Sequence, residues 1–233
     1  MGLIKHIPNG ITSMNVLSGS MGVVFALQGR PDIAFPLMLA AALFDFCDGL
    51  AARLLGAYSP IGKELDSLAD MVSFGLLPSV LLVKTMQMHG VDSWISFLPL
   101  FLAVMSALRL AKFNVDERQG TDFIGVATPT AAMICGSLCY FIFVQPDTFV
   151  ARWAGTVWFL PAVALVLGLL LVSEIPMFGM KVAKGHKLLD TKRIVFLVLA
   201  AAAIVFTLVM GLNWSLAVLL VFVLYILENL VVR

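Results

Sequence analysis

Charged residues are scarce in this sequence: Asp, Glu, Lys and Arg make up 12% of the 233 residues, whereas a typical soluble protein carries about 25%. Hydrophobic residues account for 61% of the chain, and the mean hydropathy is +1.02. A chain of this composition has too few polar groups to cover the surface of a water-soluble domain. The composition therefore excludes soluble enzymes and binding proteins and indicates an integral-membrane protein.

Histidine and cysteine are also rare, with three residues each. Cys47, Cys135 and Cys139 all fall inside apolar stretches. We interpret them as small packing residues, because their spacing fits neither a disulfide framework nor a zinc site.

Apolar stretches of about 20 residues, the length that crosses a bilayer, occupy most of the chain. Short turns that contain polar residues, Pro or Gly separate them. We predict one integral-membrane catalytic domain, an all-α polytopic membrane helical bundle of about eight transmembrane helices. The predicted spans are 12–28, 33–54, 64–86, 94–112, 128–145, 154–173, 193–211 and 214–231.

Lys and Arg residues are unevenly shared between the two ends of these spans. An even number of spans places both termini on one side, and cytoplasmic loops are rich in Lys and Arg. We therefore predict that both termini are cytoplasmic. Only Arg30, Lys84 and Arg152 fall on the other side; the cytoplasmic set is Lys5, Arg53, Lys63, Arg109, Lys112, Arg118, Lys181, Lys184, Lys187, Lys192, Arg193 and Arg233.

Two segments flank the six predicted helices of the core, residues 16–173. Residues 1–15 are predicted to be an amphipathic entry segment rather than a cleaved signal, and residues 192–233 to form two additional helices. The basic run Lys181–Arg193 either fixes the topology or also attracts anionic lipid headgroups.

Four aspartates inside apolar segments are the most informative residues. Asp45 and Asp48 lie at i, i+3 near the end of the second predicted helix, and Asp66 and Asp70 lie at i, i+4 near the start of the third. The connection between these helices is short, so the helices are expected to be antiparallel neighbours. The four carboxylates should therefore meet at the cytoplasmic side.

Four carboxylates at one point repel each other, and the nearby Arg53 and Lys63 offset only part of that repulsion. We expect a bound divalent cation, Mg²⁺ or Mn²⁺, with Ca²⁺ as another occupant, because the ligands are all oxygens. The alternatives are a structural ion-pair cluster and a cation pathway. Ionisable groups inside membrane segments usually serve a function, which favours the metal site.

Small residues accompany the carboxylates, where they would let a ligand approach the backbone. The complete pattern is Asp45-x-x-Asp48-Gly49-x-x-Ala52-Arg53, eight residues, and Gly62-x-x-x-Asp66-x-x-x-Asp70. It is similar to the signature of the CDP-alcohol phosphatidyltransferases, which transfer a phosphatidyl-type group from a CDP-linked lipid to an alcohol.

The resemblance implies two divalent ions. Asp45, Asp48 and Asp66 would ligate the first, and Asp45, Asp66 and Asp70 the second. Asp70 would also be the catalytic general base. Family members form dimers, so the resemblance implies a homodimer as well.

The resemblance also implies where the CDP-lipid binds. The motif residues Gly49, Ala52, Arg53 and Gly62 would contact it. Side chains of the entry segment reach the nucleotide in this family, and the matching residues here are Asn9, Thr12 and Asn15. Read without the family, this segment is also compatible with an ordinary helix start capped by Thr12 or Ser13.

The acceptor is predicted from the segment Arg109-Leu110-Ala111-Lys112-Phe113-Asn114. It resembles a segment of the phosphatidylserine synthase branch, as do Phe123–Ala132 and Ser73-Phe74-Gly75. The resemblance implies L-serine as acceptor, bound by Arg109, Lys112 and Asn114. The branch usually has Arg where this chain has Lys112. A lysine cannot form the two parallel hydrogen bonds that an arginine makes to a carboxylate. A basic helix end can also be a simple topology anchor.

Other functions were weighed against this prediction. The same reaction with glycerol 3-phosphate or inositol phosphate would need additional cations for the second phosphate. A cation-coupled transporter would place its carboxylates near the membrane midplane, between inverted repeats. The compact architecture favours a bacterial inner membrane, with the active site facing the cytoplasm and with CDP-diacylglycerol and membrane lipids as partners.

Overall fold

The structure is a computed structural model that describes residues 6–116, 123–177 and 191–231. Within these ranges the chain is almost entirely helical. The α-helices are α1 (Ile7–Leu27), α2 (Pro31–Leu55), α3 (Pro60–Asp70), α4 (Leu77–Met88), α5 (Phe101–Val115), α6 (Thr128–Val144), α7 (Phe149–Ala154), α8 (Phe159–Val172), α9 (Thr191–Val209) and α10 (Trp214–Val231).

Apolar helices long enough to cross a bilayer dominate the bundle. Helices α3 and α4 are continuous through a π-helical segment, Met71–Leu76, and a 3₁₀ segment, Trp94–Leu100, leads directly into α5. Five helices have the length and hydropathy of membrane spans: Ile7–Leu27, Pro31–Leu55, Pro60–Met88, Trp94–Val115 and Trp214–Val231. Three shorter apolar helices accompany them: Thr128–Val144, Phe159–Val172 and Arg193–Val209. The prediction of an all-α polytopic membrane protein is confirmed.

Helix boundaries differ from the predicted spans in two places. Helix α1 begins at Ile7, so most of the predicted entry segment belongs to the first helix, which Pro8 opens. The sixth predicted span starts late, at Phe159, because Gly155 ends the short helix α7 before it. Lys5, Arg118, Arg233 and residues 181–190 of the basic run lie outside the described residues.

Helix α1 carries several of its small and polar residues on the buried face. Thr12, Asn15 and Gly19 are buried against neighbouring helices, whereas Leu17 and Met21 are exposed on the outer face. In a membrane the exposed apolar face contacts lipid, and small residues let the inner face approach other helices closely.

A tight turn joins α2 to α3 and brings their polar ends together. Gly56 ends α2 in the left-handed conformation, with φ +58°, and the amide of Ala57 donates to the carbonyl of Ala52 at 3.0 Å. Ser59 then caps α3, since its Oγ accepts from the amide of Gly62 at 3.0 Å. The turn therefore places the last residues of α2 beside the first turns of α3.

Helix α10 packs on the core through aromatic rings. Trp214 stacks on Phe35 of α2, with 5.6 Å between the ring centroids, and contacts Tyr140 of α6 at 5.3 Å. Phe35 is completely buried. These contacts attach the C-terminal helix to the first six spans.

Two short strands were not predicted. β1 (Phe123–Ile124) pairs antiparallel with β2 (Pro176–Met177), and Ile124 is opposite Pro176. Gly125 follows with φ +73°, and its amide donates to the carbonyl of Ile175 at 2.9 Å. A Cβ at Gly125 would lie 2.6 Å from the carbonyl oxygen of Leu171, so only glycine fits this turn.

Candidate active site

Three carboxylates converge where α2 ends and α3 begins. One oxygen from each of Asp45, Asp48 and Asp66 lies within 4.8 Å of the other two. Asp48 is buried, and the other two are half-buried. The predicted convergence of the two acidic pairs is therefore observed for three of the four aspartates.

The donor atoms fit a divalent cation. Oδ2 of Asp48 and Oδ1 of Asp66 are buried without a hydrogen-bond partner among the described residues. Buried carboxylate oxygens without donors are costly, and a hard cation satisfies both their charge and their lone pairs. The oxygen-only donor set suits Mg²⁺, Mn²⁺ or Ca²⁺ better than zinc.

The fourth aspartate, Asp70, is held by α1. Nδ2 of Asn15 donates to Oδ1 of Asp70 at 3.5 Å, and Asn15 is completely buried. Oγ of Ser73 donates to Oδ1 of Asn15 at 2.6 Å. Because Ser73 occupies the oxygen of the amide, the NH₂ group of Asn15 is directed at Asp70.

Ser73 lies in the π-helical segment, and π-helical segments often occur at functional sites. Its neighbour Gly75 allows α5 to approach, since a Cβ there would lie 3.1 Å from Cβ of Ser106. The sequence singled out Ser73 and Asn15 separately but not the bond between them, because the two residues lie 58 positions apart.

Replacing Ser73 with Ala should reduce the turnover number by about 10- to 100-fold, because misplacement of a reacting group costs rates of this order. Without the Ser73 hydroxyl, the amide of Asn15 is free to turn away from Asp70. CMP release and thermal unfolding of the purified variant check this. Ser79→Ala is the matched control: Ser79 is equally buried, and its hydroxyl donates only to the carbonyl of Gly75 at 2.7 Å. Equal activity of the two variants would contradict the role of Ser73.

A cavity of about 510 Å³ lies beside the carboxylates. Helix α1, the end of α2, the turn after it and the start of α3 line it. A Cβ added at Gly49 would meet no atom within 4 Å, so this glycine leaves space in the cavity. The lining residues are Pro8, Asn9, Thr12, Asp48, Gly49, Ala52, Ala57, Tyr58, Ser59, Pro60, Gly62, Lys63 and Asp66.

Five of the seven residues predicted to bind the CDP-lipid line this cavity: Asn9, Thr12, Gly49, Ala52 and Gly62. The other two lie elsewhere. Arg53 is exposed, and its Nε donates to the carbonyl of Gly49 at 3.0 Å. Asn15 lies deeper, against Asp70.

Tyr58, Ser59 and Lys63 line the cavity without having been singled out for it. Tyr58 and Ser59 lie in the connection between the two halves of the motif, where the spacing is fixed and the residue types are not. Tyr58 and Ser59 could have been identified as cavity residues from their position in the short turn between the two helices that carry the motif.

The predicted acceptor residues divide between two places. Arg109 and Lys112 line a second, smaller cavity of about 40 Å³. Arg109 is buried, its Nη1 donates to Oγ1 of Thr128 at 3.0 Å, and its guanidinium lies 5.7 Å from the ring centroid of Phe113.

Asn114 lies on another side of α5, against α3. Its Nδ2 donates to Oγ of Ser67 at 2.9 Å and to Oε2 of Glu64 at 3.4 Å. Its backbone carbonyl accepts from Nζ of Lys63 at 2.9 Å. These bonds join the end of α5 to the first turns of α3, next to Asp66. A role of Asn114 in acceptor binding stays a prediction.

A protein-family model matches most of this chain. The model of the CDP-alcohol phosphatidyltransferase family matches residues 5–173, which contain α1 to α8. Helices α9 and α10 lie beyond the match.

Curated relatives carry the name CDP-diacylglycerol–serine O-phosphatidyltransferase. The Mycobacterium leprae protein is 34% identical over 210 residues, which cover 87% of this chain and 68% of the relative. The Mycobacterium bovis protein is 34% identical over 75% of this chain and 61% of its own length. The Bacillus subtilis protein is 34% identical over 56% of this chain and 73% of the relative.

This chain thus spans about two thirds of the length of the mycobacterial relatives that it matches. The resemblance inferred from the aspartate signature, including its serine-using branch, is confirmed by these matches. The chain belongs to the CDP-alcohol phosphatidyltransferase family.

Proposed function

We propose that this protein transfers a phosphatidyl group from CDP-diacylglycerol to the hydroxyl of L-serine, giving phosphatidylserine and CMP. The observation that carries the proposal is the cluster of Asp45, Asp48 and Asp66 beside the 510 Å³ cavity. Relatives named as serine phosphatidyltransferases support the choice of donor and acceptor.

The larger cavity binds the CDP part of the donor. Gly49, Ala52 and Gly62 give the nucleotide access to the backbone of α2 and α3. Asn9 and Thr12 contribute polar contacts from α1, and Arg53 supplies positive charge at the rim. The acyl chains extend into the surrounding bilayer.

The carboxylates would hold two divalent ions, Mg²⁺ or Mn²⁺: Asp45, Asp48 and Asp66 would ligate one, and Asp45, Asp66 and Asp70 the other. When bound, such ions would neutralise the diphosphate and stabilise the charge that develops on the phosphoryl oxygens and on the departing CMP.

Asp70 accepts the proton of the serine hydroxyl as this oxygen attacks the lipid-side phosphorus. The new oxygen–phosphorus bond forms as the bond to CMP breaks. Asn15 orients the carboxylate of Asp70 for this step, and Ser73 orients Asn15. Arg109 and Lys112 bind serine in the smaller cavity. Asn114, whose side chain is bonded to α3, holds the end of α5 beside Asp66.

The acceptor is tested with purified protein, CDP-diacylglycerol and Mg²⁺ or Mn²⁺, by measuring CMP release with serine, glycerol 3-phosphate, inositol phosphate or no acceptor. We expect release that requires serine and the metal and that chelation with EDTA abolishes. Release with a phosphorylated acceptor alone would reassign the acceptor pocket. Absence of release with every acceptor would count against the proposed transfer.

We further propose that the protein resides in a bacterial inner membrane as a homodimer, with the active site facing the cytoplasm. The excess of Lys and Arg at the end of the bundle that carries the aspartates supports this orientation. Labelling of single cysteines introduced at Tyr58 and at Asp147 in intact cells tests it. Only the cysteine at position 147 should react with a membrane-impermeant reagent.

A further inference from the structure

The smaller cavity combines charges of both signs. Arg109 and Lys112 contribute two cations from α5, and Asp116 and Glu174 contribute two carboxylates. Among the residues that the structure describes, the formal charges of this lining balance. A balanced set suits a zwitterion, whereas a phosphorylated acceptor requires an excess of positive charge.

Arg109 provides independent evidence for a ligand. Its side chain is only 8% exposed, and its Nε is buried without a hydrogen-bond partner among the described residues. A buried guanidinium usually has its donors satisfied, so a missing partner indicates an anionic ligand. Arg109 also interacts electrostatically with the proposed base, Asp70.

Glu174 lies just after α8 ends at Val172, and its side chain is exposed at the cavity. It makes no hydrogen bond or ion pair with another described residue. The backbone around it is fixed nonetheless: Ile175 accepts from the amide of Gly125, and Pro176 pairs with Ile124. The carboxylate of Glu174 is thus held on a fixed backbone at the cavity that Arg109 also lines.

We propose that this cavity is an amino-acid subsite in which Glu174 binds the ammonium group of serine while Arg109 binds its carboxylate. The proposal rests on the proposed function and adds the group that selects an α-amino acid. The serine hydroxyl then extends toward Asp70. The sequence motifs did not indicate Glu174, because it lies outside the segment that resembles the serine-using branch.

The test compares serine with 3-hydroxypropanoate, which has the hydroxyl and the carboxylate of serine but lacks its ammonium group. Wild-type protein should use serine far better. In Glu174→Gln the KM for serine should rise about tenfold or more, as expected for a lost charged hydrogen bond. The turnover number at saturating serine should change little, and the preference over 3-hydroxypropanoate should shrink by the same factor.

Two variants serve as comparisons. Glu174→Asp keeps the negative charge and should retain most of the preference for serine. Asp147→Asn removes a negative charge before α8, at the opposite end of the bundle from Glu174, and should leave the preference unchanged. Because Glu174 is exposed, its variants should unfold at the wild-type temperature.

An unchanged KM and an unchanged preference in Glu174→Gln would overturn the subsite while leaving the proposed function intact. Failure of the wild-type protein to use serine would overturn the proposed function, and the subsite with it. The two failures are distinguished by the wild-type measurement alone.

Discussion

Replacing Asp66 with Asn should abolish transfer and at the same time make the metal-free protein more resistant to heat. Three carboxylates within 4.8 Å of one another repel each other when no cation is bound. Removing one charge relieves about 1 kcal/mol or more of that repulsion. For a protein of this size, each kcal/mol raises the melting temperature by about 2–4 °C. The same change removes a ligand, so the rate should fall by about 10³-fold.

Thermal unfolding in detergent, with EDTA and with Mn²⁺, measures both effects. Wild-type protein should be stabilised by Mn²⁺, because an ion that binds only the folded state raises its stability. Asp66→Asn should start from a higher melting temperature and gain little from Mn²⁺. Glu64→Gln, which removes an exposed carboxylate of the same helix, should respond to Mn²⁺ like the wild type. A variant less stable than the wild type in EDTA would refute the repulsion argument.

Replacing Asp70 with Asn should also stop transfer, but for a different reason. The amide has the shape of the carboxylate and cannot accept the proton of the acceptor, and loss of a general base lowers rates by about 10²- to 10⁴-fold. Asp70 is not one of the three residues whose oxygens converge. A stabilising effect of Mn²⁺ through Asp45, Asp48 and Asp66 should therefore survive in Asp70→Asn.

The pair of variants separates binding of the first ion from proton transfer. Asp66→Asn, which lacks a ligand of both proposed ions, should lose both the response to Mn²⁺ and the activity. Asp70→Asn should lose the activity but keep the part of the Mn²⁺ response that comes from the ion held by Asp45, Asp48 and Asp66. CMP release from Asp70→Asn within tenfold of the wild-type rate would show that another group takes the proton.

Much of this architecture was predictable because membrane helices obey simple rules. Apolar length determines the spans, and carboxylates at i, i+3 and at i, i+4 must share a helix face. Once the turn at Gly56 makes α2 and α3 antiparallel, the convergence of Asp45, Asp48 and Asp66 follows. The site was therefore predictable from local spacing and one short connection.

Other features depend on contacts between distant segments, which spacing does not reveal. The bonds from Ser73 to Asn15 and from Asn15 to Asp70 join α1 to the π-helical segment. Asn114 belongs to a motif with Arg109, yet it lies against α3, because residues five apart on a helix point in different directions. The pairing of β1 with β2 places Glu174 at its cavity. Strands of only two residues leave no recognisable pattern in the sequence, so this pairing could not be predicted.

Helix α1 has a consequence for how the chain tolerates substitution. Its inner face carries Thr12, Asn15 and Gly19, and its outer face carries Leu17 and Met21. In comparisons among homologues, the apolar residues of the outer face should exchange freely with one another, since lipid accepts any of them. The small and polar inner positions should hardly vary. Raising the hydrophobicity of α1 to improve membrane insertion is therefore compatible with activity only on its outer face.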